Sequence, residues 1–413
     1  MKKAVIAIAS SFALCLAITT MDVPLGPRAL FGPLAPALAS PARAEAAGPA
    51  AAVPNAKQLL EIRGATGAVG FGQALAVSGS TLVVGAPYSS WGGRADVGLV
   101  YVYNQSGAGW QLVAELRGPE AIAHEGLGES IAVSGSTVVV GAPGYDSSAG
   151  HAYVFTKSGT GWHQAGELQG SDTVAHDRFG GSVAVSGNTI VVGAGSRADG
   201  GRAYLFTSTG GRWHQTAELT GSDTARYDGF GDAVTVSGAT VVVGALFHAG
   251  LSGAIYVFSD GARGWHQAAE LKGILARSYF GKSVAISGSI IVAGATGSSA
   301  GAGWAYVFTA TASGWHRTAT LENTDAAPRD YFGQSVAISG STIVVGASLQ
   351  AEGGRAYTFT RTAAGGWHQA TEMGASDGVA YDWFGDALAI SGADVVVGAP
   401  YYSGTGRAYV FEM

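Results

Sequence analysis

The chain has 413 residues, of which 47% are apolar and only 13% charged, with 65 glycines and a net charge of −6. That balance, with no basic stripe, argues against nucleic acid as a partner. The apolar residues alternate regularly, which excludes a disordered chain, and so much glycine beside so little charge marks a turn-rich molecule.

Residues 1–44 read as a signal peptide and leader. Lys2 and Lys3 precede the apolar run "AVIAIASSFALCLAIT", which is too short to span a bilayer. An Ala/Pro-rich stretch follows, with small residues at "ALAS" (37–40) and "ARAEA" (42–46). Cleavage is expected after Ala44, with Ala39 as the second choice and an uncleaved anchor as the alternative. Cys15, the only cysteine, falls inside this run. The mature chain would then hold no thiol, no disulfide and no transmembrane segment, with 19 basic residues against 28 acidic ones. A secreted, periplasmic or cell-surface location follows from this reading. Residues 45–55 read as a linker.

From Phe71 onward one phrase returns seven times, as in "FGGSVAVSGNTIVVGA" at 179–194. It opens on Phe71, Leu127, Phe179, Phe230, Phe280, Phe332 and Phe384, at intervals of 50 to 56 residues. Each interval carries four short runs rich in Val, Ile, Tyr and Phe. In the third copy they are "SVAVS" (182–186), "TIVVGA" (189–194), "RAYLFT" (202–207) and "RWHQTAELTG" (212–221). Gly, Ser, Asn and Asp bound them, which is strand chemistry. Gly187-Asn188 joins the first two as a two-residue hairpin turn. Four strands per unit, seven times over, predict an all-β fold: a seven-bladed β-propeller with four antiparallel strands per blade.

Residue size supports the taper of such a ring. The first two runs use Val, Ala, Ile and Gly. The fourth carries one tryptophan per copy, at Trp110, Trp162, Trp213, Trp265, Trp315 and Trp367. The indoles are expected to pack where blades diverge. The seventh copy stops after its third run, at "RAYVFEM" (407–413), whereas "AKQLLEIRG" (56–64) aligns with the fourth run "WHQAAELKG" (265–273). The N-terminal strand is therefore expected to complete the last blade, pairing both chain ends and giving a closed propeller over residues 56–413.

"FG…VVVGA", with "GAP" at 85–87, 141–143 and 398–400, resembles the FG-GAP repeat of integrin α-subunit propellers and of many bacterial exported proteins. The resemblance implies an extracellular binding surface. Many such repeats insert a calcium loop between the first two strands. Here that place holds only "SGST", "SGNT", "SGAT", "SGSI" or "SGAD", with Asp394 as the sole carboxylate, too few for a calcium shell. No metal and no cofactor are expected.

Repeated polar residues are read as scaffold. His163, His214, His266, His316 and His368 follow the tryptophans in five different blades, too far apart to share an ion. Asp172/Asp177, Asp223/Asp228, Asp325/Asp330 and Asp377/Asp382 recur before Phe-Gly, as turn-ordering carboxylates do. Recognition is instead expected where copies differ. The rim formed by connections after strands two and four gathers Trp91, Arg94, Tyr145, Arg178, Arg197, Tyr227, Phe247, His248, Tyr381, Trp383, Tyr401 and Tyr402, with Arg226 beside them. Variable aromatic and arginine-bearing loops on a rigid frame suit a non-catalytic module that binds an extracellular protein or glycan. A hydrolase or lyase is the alternative, with His124, His176 and His248 as candidates. A purely structural surface component is the third reading.

Overall fold

A computed structural model describes residues 54–413, except 121, 160, 351 and 352. The expected signal peptide and most of the linker lie outside the described residues. The described chain forms seven four-stranded antiparallel sheets. Blade 3 shows the plan, with strands Ser182–Ser186, Thr189–Ala194, Arg202–Thr209 and Arg212–Leu219 running from the axis outward. Blades are numbered in chain order. Blade 1 starts with Leu75–Ser78, and blade 7 combines Leu388–Ser391, Asp394–Ala399 and Arg407–Glu412 with the N-terminal strand Lys57–Ile62. No helix among the described residues is long and apolar enough to cross a membrane.

The recurring phrase is built from contacts between blades. The glycine of "VVGA" in each blade lies against the Phe-Gly glycine of the next. A methyl group on Gly85 would collide with the Gly128 carbonyl oxygen, and likewise Gly141 with Gly180, Gly193 with Gly231, Gly244 with Gly281, Gly294 with Gly333, and Gly346 with Gly385. The seventh contact, Gly398 against Gly72, joins the last blade to the first. No side chain fits there, which accounts for glycine at both positions. Phe-Gly supplies the hydrophobic half of the same joint. Phe71, Phe179, Phe230, Phe280, Phe332 and Phe384 are at most 1% exposed, and each ring meets the buried tyrosine of its own third strand, as Phe230 meets Tyr256 at 5.4 Å. Such aromatic contacts add to the burial they accompany.

The "SG" turn has its own role on the opposite rim of the propeller. In each of several blades the turn glycine N–H donates to the serine hydroxyl of the preceding blade: Gly187 to Ser134 at 3.2 Å, Gly238 to Ser186 at 3.2 Å and Gly340 to Ser287 at 3.2 Å. Gly79 donates to Ser391 at 3.0 Å, across the seam between blades 1 and 7.

The N-terminal strand is a full member of blade 7. Lys57 pairs with Glu412, Glu61 with Tyr409 and Ile62 with Ala408. It even bulges where the other outer strands do. The register slips between Gln58 and Leu60, as it slips opposite Leu205/Phe206 in blade 3 and Val257/Phe258 in blade 4. Gln58 accepts from the Ser376 N–H at 3.1 Å, the bond that Gln215 makes to Ser171 and Gln267 to Ser222 in other blades. Arg407 donates to Glu61 at 2.6 Å across the joined chain ends.

The tryptophans differ from a fully buried arrangement. All six are half-buried, packed on one side against a blade cluster and facing solvent on the other. The outer strand lies where neighbouring blades diverge, so the blades beside it cover the indole only in part. The five following histidines are exposed.

Gly398→Ala should destabilise the ring by about 3 kcal/mol, because backbone on both sides of the seam has no room to yield. Gly107→Ala, in open space, should be nearly neutral. Thermal unfolding of the pair checks this, and equal melting temperatures would show that the seam is not closed by this contact.

Candidate functional site

The rim loops are ordered by the repeated carboxylates. Asp177, Asp228, Asp330 and Asp382 each accept the backbone N–H three residues earlier, at 2.7–2.9 Å. Asp172, Asp223, Asp325 and Asp377 each accept a hydroxyl from the strand-three tyrosine, at 2.7–2.9 Å. Burial, with those carboxylates adding, pushes Tyr204, Tyr256 and Tyr409 above the ordinary phenol range. The expectation that these acids shape turns agrees with this geometry.

Four of the expected recognition residues occupy one equivalent position. Tyr145, Arg197, His248 and Tyr402 each lie three residues after the alanine that ends strand two. Each is engaged within its own blade. Arg197 meets Asp172 at 2.8 Å, Asp199 at 3.1 Å and Asp177 at 3.4 Å. Tyr145 stacks on His151 at 3.8 Å, and Tyr402 lies under the Arg407 guanidinium at 4.5 Å. His248 bonds Asp228 at 2.8 Å. These four sit in four separate nodes.

A second group converges on the axial mouth. Around the axis the first strands of all seven blades enclose a cavity of about 310 Å³, lined by aliphatic residues and Thr235. At its rim-side mouth stands the residue that follows each Phe-Gly or Leu-Gly: Gln73, Glu129, Gly181, Asp232, Lys282, Gln334 and Asp386. They interact around the ring. Arg178 pairs with Glu129, and Gln334 donates to Asp386 at 3.2 Å. Asp232 is wetted at the surface but crowded by protein around its carboxyl. That desolvation lifts its pKa to about 6 against the pull of Lys282 and Arg178. Desolvation raises Asp386 also, again opposed by Lys282. The amide oxygens of Gln73 and Gln334 are buried without a hydrogen-bond partner.

The residue before each Phe-Gly frames this mouth from outside. In three blades it is Gly70, Gly126 or Gly229, with φ of 66° to 72°. In the others it is Arg178, Tyr279, Tyr331 or Trp383, held at φ of 52° to 59°. Bulky side chains seldom accept this backbone. Trp383 packs edge-on against Tyr401 at 4.6 Å, and Tyr279 against Phe247 at 6.5 Å. Tyr88 lies in the field of Glu129, Tyr401, Asp386 and Arg178, and burial is the main cause of its raised pKa.

Of the expected recognition residues, then, Arg178, Phe247, Trp383 and Tyr401 belong to the mouth. Trp91 and Arg94 form a hairpin on the outer lip of blade 1, bonded at 3.0 Å in both directions, with the Arg117 guanidinium 3.7 Å over the indole. Tyr227 and Tyr381 stand 65% and 81% exposed at one equivalent loop position. Among the described residues no contact joins His124, His176 and His248. His124 pairs instead with Asp96 at 3.0 Å. The mouth residues Gln73, Glu129, Asp232, Lys282, Gln334 and Asp386 were not among the expected ones. Their signal is visible: they vary in charge inside a phrase that is otherwise nearly constant.

The comparisons agree with this architecture. The family model described as "FG-GAP repeat" matches residues 110–155, 162–206, 213–258, 273–308, 315–359 and 367–411. Among curated proteins no sequence matches. Among solved structures, a chain of "Crystal Structure of Mitotic Checkpoint Complex" is similar with a TM-score of 0.56 at 13% identity, over 89% of this chain and 98% of that one. A second, "Crystal structure of the Saccharomyces cerevisiae Sqt1", has a TM-score of 0.47 at 14% identity, over 87% and 99%. At such identity the first shows a shared fold and nothing of its function. With six matched repeats and a seventh visible in the structure, the chain belongs to the FG-GAP repeat family.

Proposed function

We propose that the protein is an exported, non-catalytic β-propeller that binds an extracellular protein or glycan at the axial mouth of its variable rim. The observation that carries this reading is the set of four bulky residues, Arg178, Tyr279, Tyr331 and Trp383, in left-handed backbone where sister blades use glycine. Strain of that kind is retained where a side chain must be presented. The mixed-charge ring beneath them supplies hydrogen-bonding groups of both signs, and the aromatic frame supplies stacking area. The aliphatic lining below favours binding over acid–base chemistry at the axis. Export rests on the leader read from residues 1–44.

A glycan array and a pull-down from native culture supernatant identify the ligand. Trp383→Ala with Tyr401→Ala should then weaken its binding at least tenfold while circular dichroism stays unchanged. Full affinity in that double variant would move the site away from the mouth.

The raised Asp232 pKa makes a separate prediction. A carboxyl that is harder to ionise folded than unfolded favours folding while protonated, and that contribution is lost as pH rises through about 6. Asp232→Asn should therefore melt higher than wild type at pH 7.5, with the difference vanishing near pH 4. A difference independent of pH would contradict the crowding.

A further inference from the structure

We propose that blade 4 carries a site for a divalent transition-metal ion of the zinc type, ligated by Asp223, His248 and Glu270. The three come from different segments: the connection into blade 4, the loop after its second strand, and its outer strand. His248 Nε2 lies 3.7 Å from Asp223 Oδ2 and 4.0 Å from Glu270 Oε1, and all three ligand atoms fall within 4.8 Å of one another. A tetrahedral ion with bonds of about 2.0–2.2 Å sets its ligands roughly 3.3–3.6 Å apart, so small side-chain movements bring these three onto one ion, with water as the fourth ligand.

The surroundings are those of a metal ligand set. His248 is nine-tenths buried, and its Nδ1 lies 2.8 Å from Asp228 Oδ2. A carboxylate only accepts, so that bond takes the Nδ1 proton and turns Nε2 toward the two carboxylates, the carboxylate–histidine–metal arrangement. The Tyr256 hydroxyl donates to the second Asp223 oxygen, Oδ1, at 2.7 Å and fixes that carboxylate in turn.

Comparison between blades gives an independent argument. In blades 3, 6 and 7 an arginine on strand three neutralises the equivalent outer-strand glutamate: Arg202 with Glu218 at 2.7 Å, Arg355 with Glu372 at 3.0 Å, and Arg407 with Glu61 at 2.6 Å. In blade 4 that position is Ala254. The built-in cation is gone and a histidine faces the acids instead. The positive charge now there is the Lys272 ammonium, 2.8 Å from Glu270 Oε1 and 3.2 Å from Asp223 Oδ2, on a side chain 58% exposed. It reaches in from solvent and bridges the same two oxygens that an ion would take, so metal binding is a displacement of Lys272. Among the described residues this is the one group of its kind. The sequence reading expected no metal because it weighed calcium loops and the exposed Trp-His histidines; this set assembles only in three dimensions.

The test is Zn2+ titration of the purified protein without a polyhistidine tag, against a chromophoric chelator, with the visible spectrum of added Co2+ as a second readout. Wild type should bind one ion at this site. Lys272→Met should bind it about tenfold tighter, and His248→Gln or Glu270→Gln more than tenfold weaker, with the Co2+ band lost. Lys272→Met changes an exposed residue and so gives a reading even if His248→Gln fails to fold. Equal affinity in wild type, Lys272→Met and Glu270→Gln would place any bound zinc on the outer-strand histidines and overturn the proposal.

Discussion

The seven glycine-on-glycine contacts between neighbouring blades are the constraint from which the rest of the molecule follows. They set how closely one sheet can approach the next, and they require two glycines per repeat at fixed separation. With that spacing fixed, a phenylalanine can bury against the tyrosine of its own blade, and a serine on one turn can accept from the next. The same contact recurs between Gly398 and Gly72, so closing the ring makes the seam an ordinary joint. The ring needs no disulfide because each blade is wedged between two others, and the N-terminal strand gives blade 7 its fourth, outer strand.

A frame this repetitive leaves little freedom, and chemistry concentrates where the repeat tolerates difference. Three positions per blade do so on one rim: the residue before Phe-Gly, the residue after it, and the third residue beyond strand two. The first two meet at the axis, where seven blades contribute to one surface. The third lies within a single blade and yields isolated nodes whose content changes from arginine to tyrosine to histidine. The same scaffold thus offers one shared face and several private pockets.

Much of this was legible in the sequence because repetition multiplies weak signals. Each strand alone is a short apolar run, but the returning phrase sets blade number and strand count, and the alignment of residues 56–64 with an outer strand anticipates even the role of Gln58. The recognition residues were less legible. Tyr145, Arg197, His248 and Tyr402 share an offset that can be counted, but the inward turn of that position shows only in the structure. Glu129, Asp232 and Lys282 were passed over because they sit inside the constant phrase. The glycines at 70, 126 and 229 mark the left-handed position that makes Arg178 and Trp383 unusual, a comparison that depends on aligning the copies before the loop. The half-burial of the tryptophans follows from the divergence of neighbouring blades at the outer strand.

Amide hydrogen exchange read by mass spectrometry tests the closed ring most directly. The account predicts that those amides of residues 57–62 that donate to strand 407–412 are protected like the inner strand, with both segments losing protection in one cooperative event under mild denaturant. Rapid exchange of 57–62 while 407–412 stays protected would show that the N-terminal strand does not hold the last blade, and would contradict it.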